Sequence, residues 1–200
     1  MRYLSPGLVL MGALMLQAPV AHAVPITFNA TLTQANEVPP TGSPATGNAT
    51  VILDPALNTL QVHVTFSGLE SPTTASHIHC CLASPFLPGV NVGVATTVPT
   101  FTGFPLGVTS GTYDHIFDLT LASSYNPAFD GATPALQEAT LVAGIEAGET
   151  YLNIHTMMFP NGEIRGFLVA APEPASLVLL ASGLLGLGLI RRRKRAARSC

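Results

Sequence analysis

The chain has 200 residues, of which 48% are hydrophobic and 10% are charged, and its formal net charge is −3. Arg165 is the only basic residue between residues 24 and 171, whereas ten of the eleven acidic residues lie there. That segment therefore has a net charge of about −9, which opposes binding to nucleic acid or anionic lipid and favours solubility, cations or basic partners.

Residues 1–23 contain three regions in order: a positively charged start, an apolar run and a stretch of small residues. Arg2 precedes an apolar core that is too short to cross a membrane, and Ala21 and Ala23 form an A-x-A cleavage pattern. We therefore expect a signal helix that signal peptidase removes, leaving Val24 as the first mature residue.

Short alternating segments predict a mostly β domain over residues 24–171. In residues 60–66 the apolar side chains occupy every second position, as in a strand with one buried face. Further strand candidates are residues 26–32, 49–53, 116–121, 151–156 and 164–169. Asn161-Gly162 predicts a two-residue hairpin turn between the last two strands. We expect an antiparallel β-sandwich, Ig-like, or a Greek-key barrel.

Two other segments interrupt the strands. Residues 82–111 are rich in Gly, Pro and Thr, which predicts a long loop with one short strand. Residues 134–147 predict the single short helix, ended by Gly148. Its expected apolar positions are Leu136, Ala139, Leu141 and Ile145.

The stretch ASHIHCC at residues 75–81 places His77, His79 and Cys81 on one face of a strand. By the same alternation Tyr151, Asn153 and His155 share the face of their strand that points away from the core. If the two strands are neighbours, His77, His79 and His155 converge on the outer wall of the domain. Three imidazoles suit Cu or Zn, but they also suit anchoring of the following loop through its backbone carbonyls.

The remaining histidines and the cysteines give weaker signals. We interpret His63 and His115 as solvent-exposed side chains. Cys80 and Cys81 are the only cysteines of residues 24–171, and three interpretations stay open. They form a vicinal disulfide, or Cys81 is a metal ligand beside a buried Cys80, or they cross-link two molecules.

Arg165, the one cation of the domain, has Glu163 two positions away. This spacing predicts a surface ion pair or cross-strand anchor between them. Glu37 is a second candidate partner.

The C-terminal segment, residues 172–200, contains three parts in order. Pro172-Glu173-Pro174 precedes an apolar run at residues 175–190, and a basic tail follows at residues 191–198. The run predicts a marginal transmembrane helix whose basic end stays cytoplasmic. The segment resembles the PEP-CTERM sorting signal of Gram-negative bacteria, which implies transient anchoring in the inner membrane and cleavage near the motif by an exosortase-type enzyme.

Six short motifs occur in order along the domain. They are EVPP at residues 37–40, GNA at 47–49, SGL at 67–69, HIH at 77–79, YLNIHT at 151–156 and NGEIRG at 161–166. Over residues 28–169 this series resembles the CHRD domain, named for chordin. The resemblance implies an extracellular β-sandwich or Ig-like barrel without an established catalytic activity.

The order of Gly68-Leu69, the histidine pair and His155 is also similar to Cu/Zn superoxide dismutase. A dismutase needs a bridging histidine and further ligands, yet residues 82–114 contain no histidine. We therefore expect at most a mononuclear metal site.

These features predict a non-enzymatic binding or structural module, exported to the cell surface or extracellular space, with envelope or matrix components as partners. The alternative is a mononuclear Cu or Zn metalloprotein, redox-active or not, that uses His77, His79 and His155.

Overall fold

The structure is a computed structural model that describes residues 24–82, 89–131, 133–172 and 182–184. The predicted signal peptide and its cleavage residues Ala21 and Ala23 lie outside the described residues, as does nearly all of the predicted apolar helix at 175–190. Among the described residues, no helix has the length and apolar character needed to cross a membrane.

The described chain is mostly β, as predicted. The strands are β1 (Ile26–Thr33), β2 (Thr46–Asp54), β3 (Thr59–Ser67), β4 (Thr73–His79), β5 (Gly111–Asp118), β6 (Tyr151–Thr156), β7 (Ile164–Phe167) and β8 (Val169–Ala170). The α-helix α1 is Pro134–Glu146, and single 3-10 turns lie at Gln34–Asn36 and Ala122–Ser124.

The strands form one antiparallel sheet in the order β4-β6-β7-β1-β2-β3-β5, with β8 also paired to β1. Strand β3 pairs with β5 and not with β4, so the chain crosses from one end of the sheet to the other between β3 and β4. The sheet curls around its core, which confirms the predicted mostly β, antiparallel class.

The core comes from the alternation that the sequence shows. In β3, Leu60, Val62 and Val64 have no exposed surface, and Phe66 is 4% exposed. The neighbouring strands β1 and β2 contribute Phe28, Leu32, Val51 and Leu53 to the same cluster. Burial of these side chains stabilises the curled sheet by the hydrophobic effect.

Helix α1 begins and ends close to the predicted positions. Thr133 caps its first turn by accepting a hydrogen bond from the amide of Leu136, and Gly148 follows its end with a φ of +72°. Two of its predicted apolar positions are wrong, because Leu136 is 50% exposed and Ala139 is also exposed. Gln137 is buried instead, where its amide donates to the carbonyls of Asn126 and Phe129.

Several predicted bounds are corrected. Strand β2 begins three residues earlier than predicted, and β5 spans Gly111–Asp118 instead of residues 116–121. In the described part of the predicted long loop, residues 89–110, the chain forms isolated bridges at Val94 and Thr96 but no strand.

The predicted two-residue turn at Asn161-Gly162 is wrong, because residues 157–163 all lie between β6 and β7. The connection is longer because the chain forms a separate turn around Phe159 before β7 begins. The amide of Thr156 donates to Phe159 O at 3.2 Å, and the amide of Gly162 donates to the same oxygen at 3.0 Å.

Candidate metal centre

The pairing of β4 with β6 brings the predicted histidines together. His77 lies opposite Asn153, His79 lies opposite Tyr151, and His155 lies opposite Ala75. Their side chains therefore share the face of the sheet opposite to Ile78, Leu152 and Ile154, which lie in the core.

This face is not an outer wall, as the sequence had suggested, but a second buried layer. His77 is 6% exposed and His79 is 7% exposed. The long loop covers them: the amide of Ala95 donates to Ile78 O at 3.0 Å, and the amide of Phe101 donates to Ser76 O at 3.0 Å. Loop and strand thus enclose His77 and His79, whereas His155 remains half-buried.

Each histidine uses one ring nitrogen to bind a backbone carbonyl. His77 Nε2 lies 2.7 Å from Pro99 O, His79 Nδ1 lies 2.7 Å from Val92 O, and His155 Nδ1 lies 2.9 Å from Pro160 O. A carbonyl only accepts hydrogen bonds, so these nitrogens carry the protons. The loop anchoring considered from the sequence is therefore present, and it also fixes the tautomer of each ring.

The other three ring nitrogens carry the free lone pairs. They are His77 Nδ1, His79 Nε2 and His155 Nε2. His77 Nδ1 and His155 Nε2 are 3.3 Å apart, and neither has a proton to give the other in this tautomer. His79 Nε2 is buried without a hydrogen-bond partner.

One ring nitrogen of each histidine lies within 4.8 Å of the other two. In a tetrahedral zinc site with bonds near 2.0–2.1 Å, two ligand nitrogens are about 3.3 Å apart. The backbone carbonyls play the part of the outer partners that orient ligand histidines in metal sites. The 3.3 Å between His77 Nδ1 and His155 Nε2 matches that spacing, whereas a separation of 4.8 Å within the set would have to shorten when an ion binds.

The lowered pKa values of the three histidines keep their rings neutral, which is the form that binds a metal ion. Burial lowers the pKa of His77 and of His79 to about 4, with further lowering from His155, against the opposite effect of the carbonyl hydrogen bonds. Burial also lowers the pKa of His155. At neutral pH the imidazoles are uncharged, as metal binding requires.

Beside the histidines lies a stack that the sequence did not predict. The rings of His79 and Tyr151 are parallel with centroids 4.7 Å apart, and the Arg165 guanidinium carbon lies 4.5 Å from the Tyr151 centroid. The Tyr151 hydroxyl accepts from the amide of Val92 at 3.2 Å and donates to Val92 O, the carbonyl that orients His79, at 3.4 Å. The alternation of residues 151–155 was the only sequence signal for this contact.

Arg165 is fully buried, so its predicted surface pairing with Glu163 is wrong. Its Nε lies 3.9 Å from Glu37 Oε2 and donates to Asn36 O, and its Nη1 donates to Asn91 Oδ1 at 2.9 Å. The alternative partner Glu37 is therefore the one the fold provides. Burial raises the pKa of Glu37 to about 7, although the Arg165 charge acts to lower it.

Glu163 has a different role as a buried junction between three segments. Its carboxylate accepts hydrogen bonds from Ser43 Oγ at 2.7 Å, from the amide of Glu70 at 2.8 Å and from Thr156 Oγ1 at 2.6 Å. These bonds join the loops before β2 and β4 to the end of β6.

The cysteines form the vicinal disulfide, one of the three interpretations considered from the sequence. Cys81 consequently has no thiolate to offer a metal, and the sulfurs pack against α1 at Gly144, away from the three histidines. His63 contacts Asp114 at 3.1 Å with its side chain 43% exposed, as expected for a surface residue.

The sorting residues fall at the edge of the described chain. Pro172 is described, whereas Glu173, Pro174 and residues 191–198 lie outside the described residues. Predictions about their conformation remain predictions.

Comparison with known proteins gives two family matches. The family model for the CHRD domain matches residues 28–168. The family model for the PEP-CTERM protein-sorting motif matches residues 170–194. No curated protein and no solved structure matches the chain.

Proposed function

The chain belongs to the CHRD domain family and is an exported protein that exosortase-type machinery sorts to the surface of a Gram-negative bacterium; on that premise we propose that it binds one transition-metal ion. His77 Nδ1, His79 Nε2 and His155 Nε2 are the ligands, and Cu or Zn is the ion. The module is non-enzymatic, and the ion serves binding and assembly in the envelope or extracellular matrix.

One observation carries this proposal: three neighbouring imidazoles, two of them buried and that of His155 half-buried, donate all of their N–H groups to backbone carbonyls. Anchoring of the loop alone does not explain why His77 Nδ1 lies 3.3 Å from His155 Nε2 with no proton between them. An unpaired buried acceptor such as His79 Nε2 also costs about 1–3 kcal/mol. A cation between the rings satisfies all three. Imidazole nitrogen is a preferred ligand of both Cu and Zn.

The test is metal binding by the mature protein purified after export, first as isolated and then after chelation and addition of Co²⁺, Zn²⁺ or Cu²⁺. We expect one ion per chain, by elemental analysis. H155A removes one ligand and should weaken Co²⁺ binding at least about 100-fold, whereas H63A, at an exposed histidine outside the cluster, should leave it unchanged. Absence of binding by the wild type, or equal binding by H155A, would refute the proposal.

A further inference from the structure

Asn153 lies in the same buried layer as the three histidines. It faces His77 across the β4–β6 pair and is 2% exposed. Its Oδ1 is buried and has no hydrogen-bond partner. Its side chain is close enough to the His79 ring to influence the pKa of that ring.

The His79 ring shows why Asn153 Oδ1 has no partner. The bond to Val92 O places the ring proton on Nδ1, so Nε2 is an acceptor in the neutral ring. The neutral ring has only that one proton, so it has none to donate to Asn153 Oδ1. Asn153 Oδ1 and His79 Nε2 are therefore two buried acceptors in the same layer, both without a donor.

We propose that Asn153 Oδ1 is the fourth ligand of the metal centre, which completes a closed set of three imidazole nitrogens and one amide oxygen. This inference rests on the metal binding proposed above and deepens it. A single cation satisfies every lone pair left over in the layer. The amide oxygen adds no negative charge, so the bound ion keeps its full positive charge inside an acidic domain.

A fourth protein ligand decides what kind of centre this is. Catalytic zinc sites keep one position for water or substrate, whereas structural sites fill all four with protein atoms. The burial of His77 and His79 beneath the loop agrees with a filled set. The centre then serves to hold the ion and the loop, consistent with a non-enzymatic module.

The experiment uses the exported, mature protein loaded with Co²⁺, whose visible spectrum reports added ligands, and azide as a probe of an open position. The wild-type spectrum should not respond to azide. N153A opens the fourth position, so its spectrum should change with azide and its Co²⁺ affinity should fall about 10-fold to 100-fold. N153D supplies a carboxylate oxygen of the same size, so it should bind Co²⁺ at least as tightly as the wild type and stay insensitive to azide.

The outcomes separate the two proposals. A wild-type protein that binds Co²⁺ through His155 but responds to azide overturns the fourth ligand and leaves the histidine site standing. Unchanged Co²⁺ affinity in N153A also overturns it, because Asn153 then contributes no ligand to the ion. A wild-type protein that binds no Co²⁺ overturns both. If N153A does not fold, the azide response of the wild type and of N153D still decides.

Discussion

At the scale of single residues, the distinctive feature of the domain is a set of polar side chains buried on the face of β4, β6 and β7 that points away from the apolar core. His77, His79, Asn153 and Arg165 would each be costly there alone, because an unpaired buried polar group loses its water. Carbonyls of the long loop, the Tyr151 ring and Glu37 offset that cost. The proposed metal centre is one part of this network.

The lowered pKa values of His77 and His79 predict how the metal-free protein responds to acid. Between pH 6.5 and 4 these two histidines are protonated in the unfolded chain but neutral in the folded protein. Their contribution to the free energy of unfolding is therefore fully present above pH 6.5 and decreases as the pH falls toward 4. Glu37 acts in the opposite sense, because its raised pKa makes the folded state bind the extra proton between pH 4.5 and 7.

From pH 7 to pH 5 we expect the free energy of unfolding to fall by about 2 kcal/mol in the wild type and by about 4 kcal/mol in E37Q, which lacks the opposing group. Urea unfolding of the chelated proteins at the two pH values measures both. Equal losses in the two proteins would show that Glu37 does not titrate in this range.

The Arg165–Glu37 pair predicts a second stability effect. R165M leaves the Glu37 carboxyl buried without its cation and removes the donors to Asn36 O and Asn91 Oδ1, so it should destabilise the protein by about 3–5 kcal/mol. The double variant E37Q/R165M should recover at least about 1 kcal/mol relative to R165M.

The exposed contact of His63 with Asp114 provides the control, and D114N should change stability by less than about 1 kcal/mol. Denaturant unfolding measures all three variants. An R165M protein as stable as D114N would contradict the description of Arg165 as a buried partner of Glu37.

At the scale of elements, alternation predicted most of the sheet because a strand repeats every two residues whatever it pairs with. Strand β6 lies at its predicted residues, and β1 and β3 are each only one or two residues longer than expected. The same alternation grouped Tyr151, Asn153 and His155. The burial of Tyr151 could not be predicted, because it depends on Val92 of a loop that is distant in the sequence.

Tertiary hydrogen bonds that the sequence pattern could not predict also shape residues 157–163 and helix α1. Asn-Gly is a strong local turn signal, but hydrogen bonds from Thr156 to Phe159 and from Met157 to Pro72 place the reversal elsewhere. In α1 the buried position of Gln137 depends on the carbonyls of Asn126 and Phe129. Such partners are tertiary, and a periodic pattern does not identify them.

The contact of α1 with the disulfide predicts an unusual effect of a helix glycine. A Cβ atom on Gly144 would lie 2.7 Å from Cys81 Sγ and still nearer to Cys80 Sγ. Gly→Ala in a helix ordinarily stabilises by about 0.5–1 kcal/mol, but here overpacking should give a net loss of about 1–3 kcal/mol.

The C80A/C81A background provides the matched comparison, because it removes both sulfurs. There G144A should be neutral or stabilising, as thermal unfolding of the four proteins would show. If G144A destabilised both backgrounds equally, the disulfide would not be what requires glycine at this position.

At the scale of the whole molecule, acidic and basic residues are separated along the chain. Arg165 is the only Lys or Arg among the described residues and is fully buried, so the described surface shows acidic groups without a compensating Lys or Arg. The basic residues 191–198 follow the apolar run and belong to the matched sorting motif or lie just beyond it. The acidic charge of the domain is compatible with export, and the basic charge of the tail favours its retention at the membrane.

The sorting motif predicts the mass of the exported protein. With Pro172, Glu173 and Pro174 intact, the mature chain should begin at Val24 and lack the basic tail. Replacing all three with Ala should leave the tail attached through Cys200, because the processing enzyme no longer recognises the segment. Intact-mass spectrometry of the exported protein measures both ends.

The control for the sorting prediction is A171G, adjacent to the motif, which should be processed like the wild type. A triple-Ala protein with the same mass as the wild type would contradict the role of these three residues.

The central claim is that the buried imidazoles of a surface module meet at one metal ion, and anomalous X-ray diffraction from crystals of the metal-loaded protein tests it most directly. The account predicts one anomalous peak per chain, at about 2.0–2.1 Å from His77 Nδ1, His79 Nε2 and His155 Nε2. A peak at other residues, or none at these histidines, would contradict it.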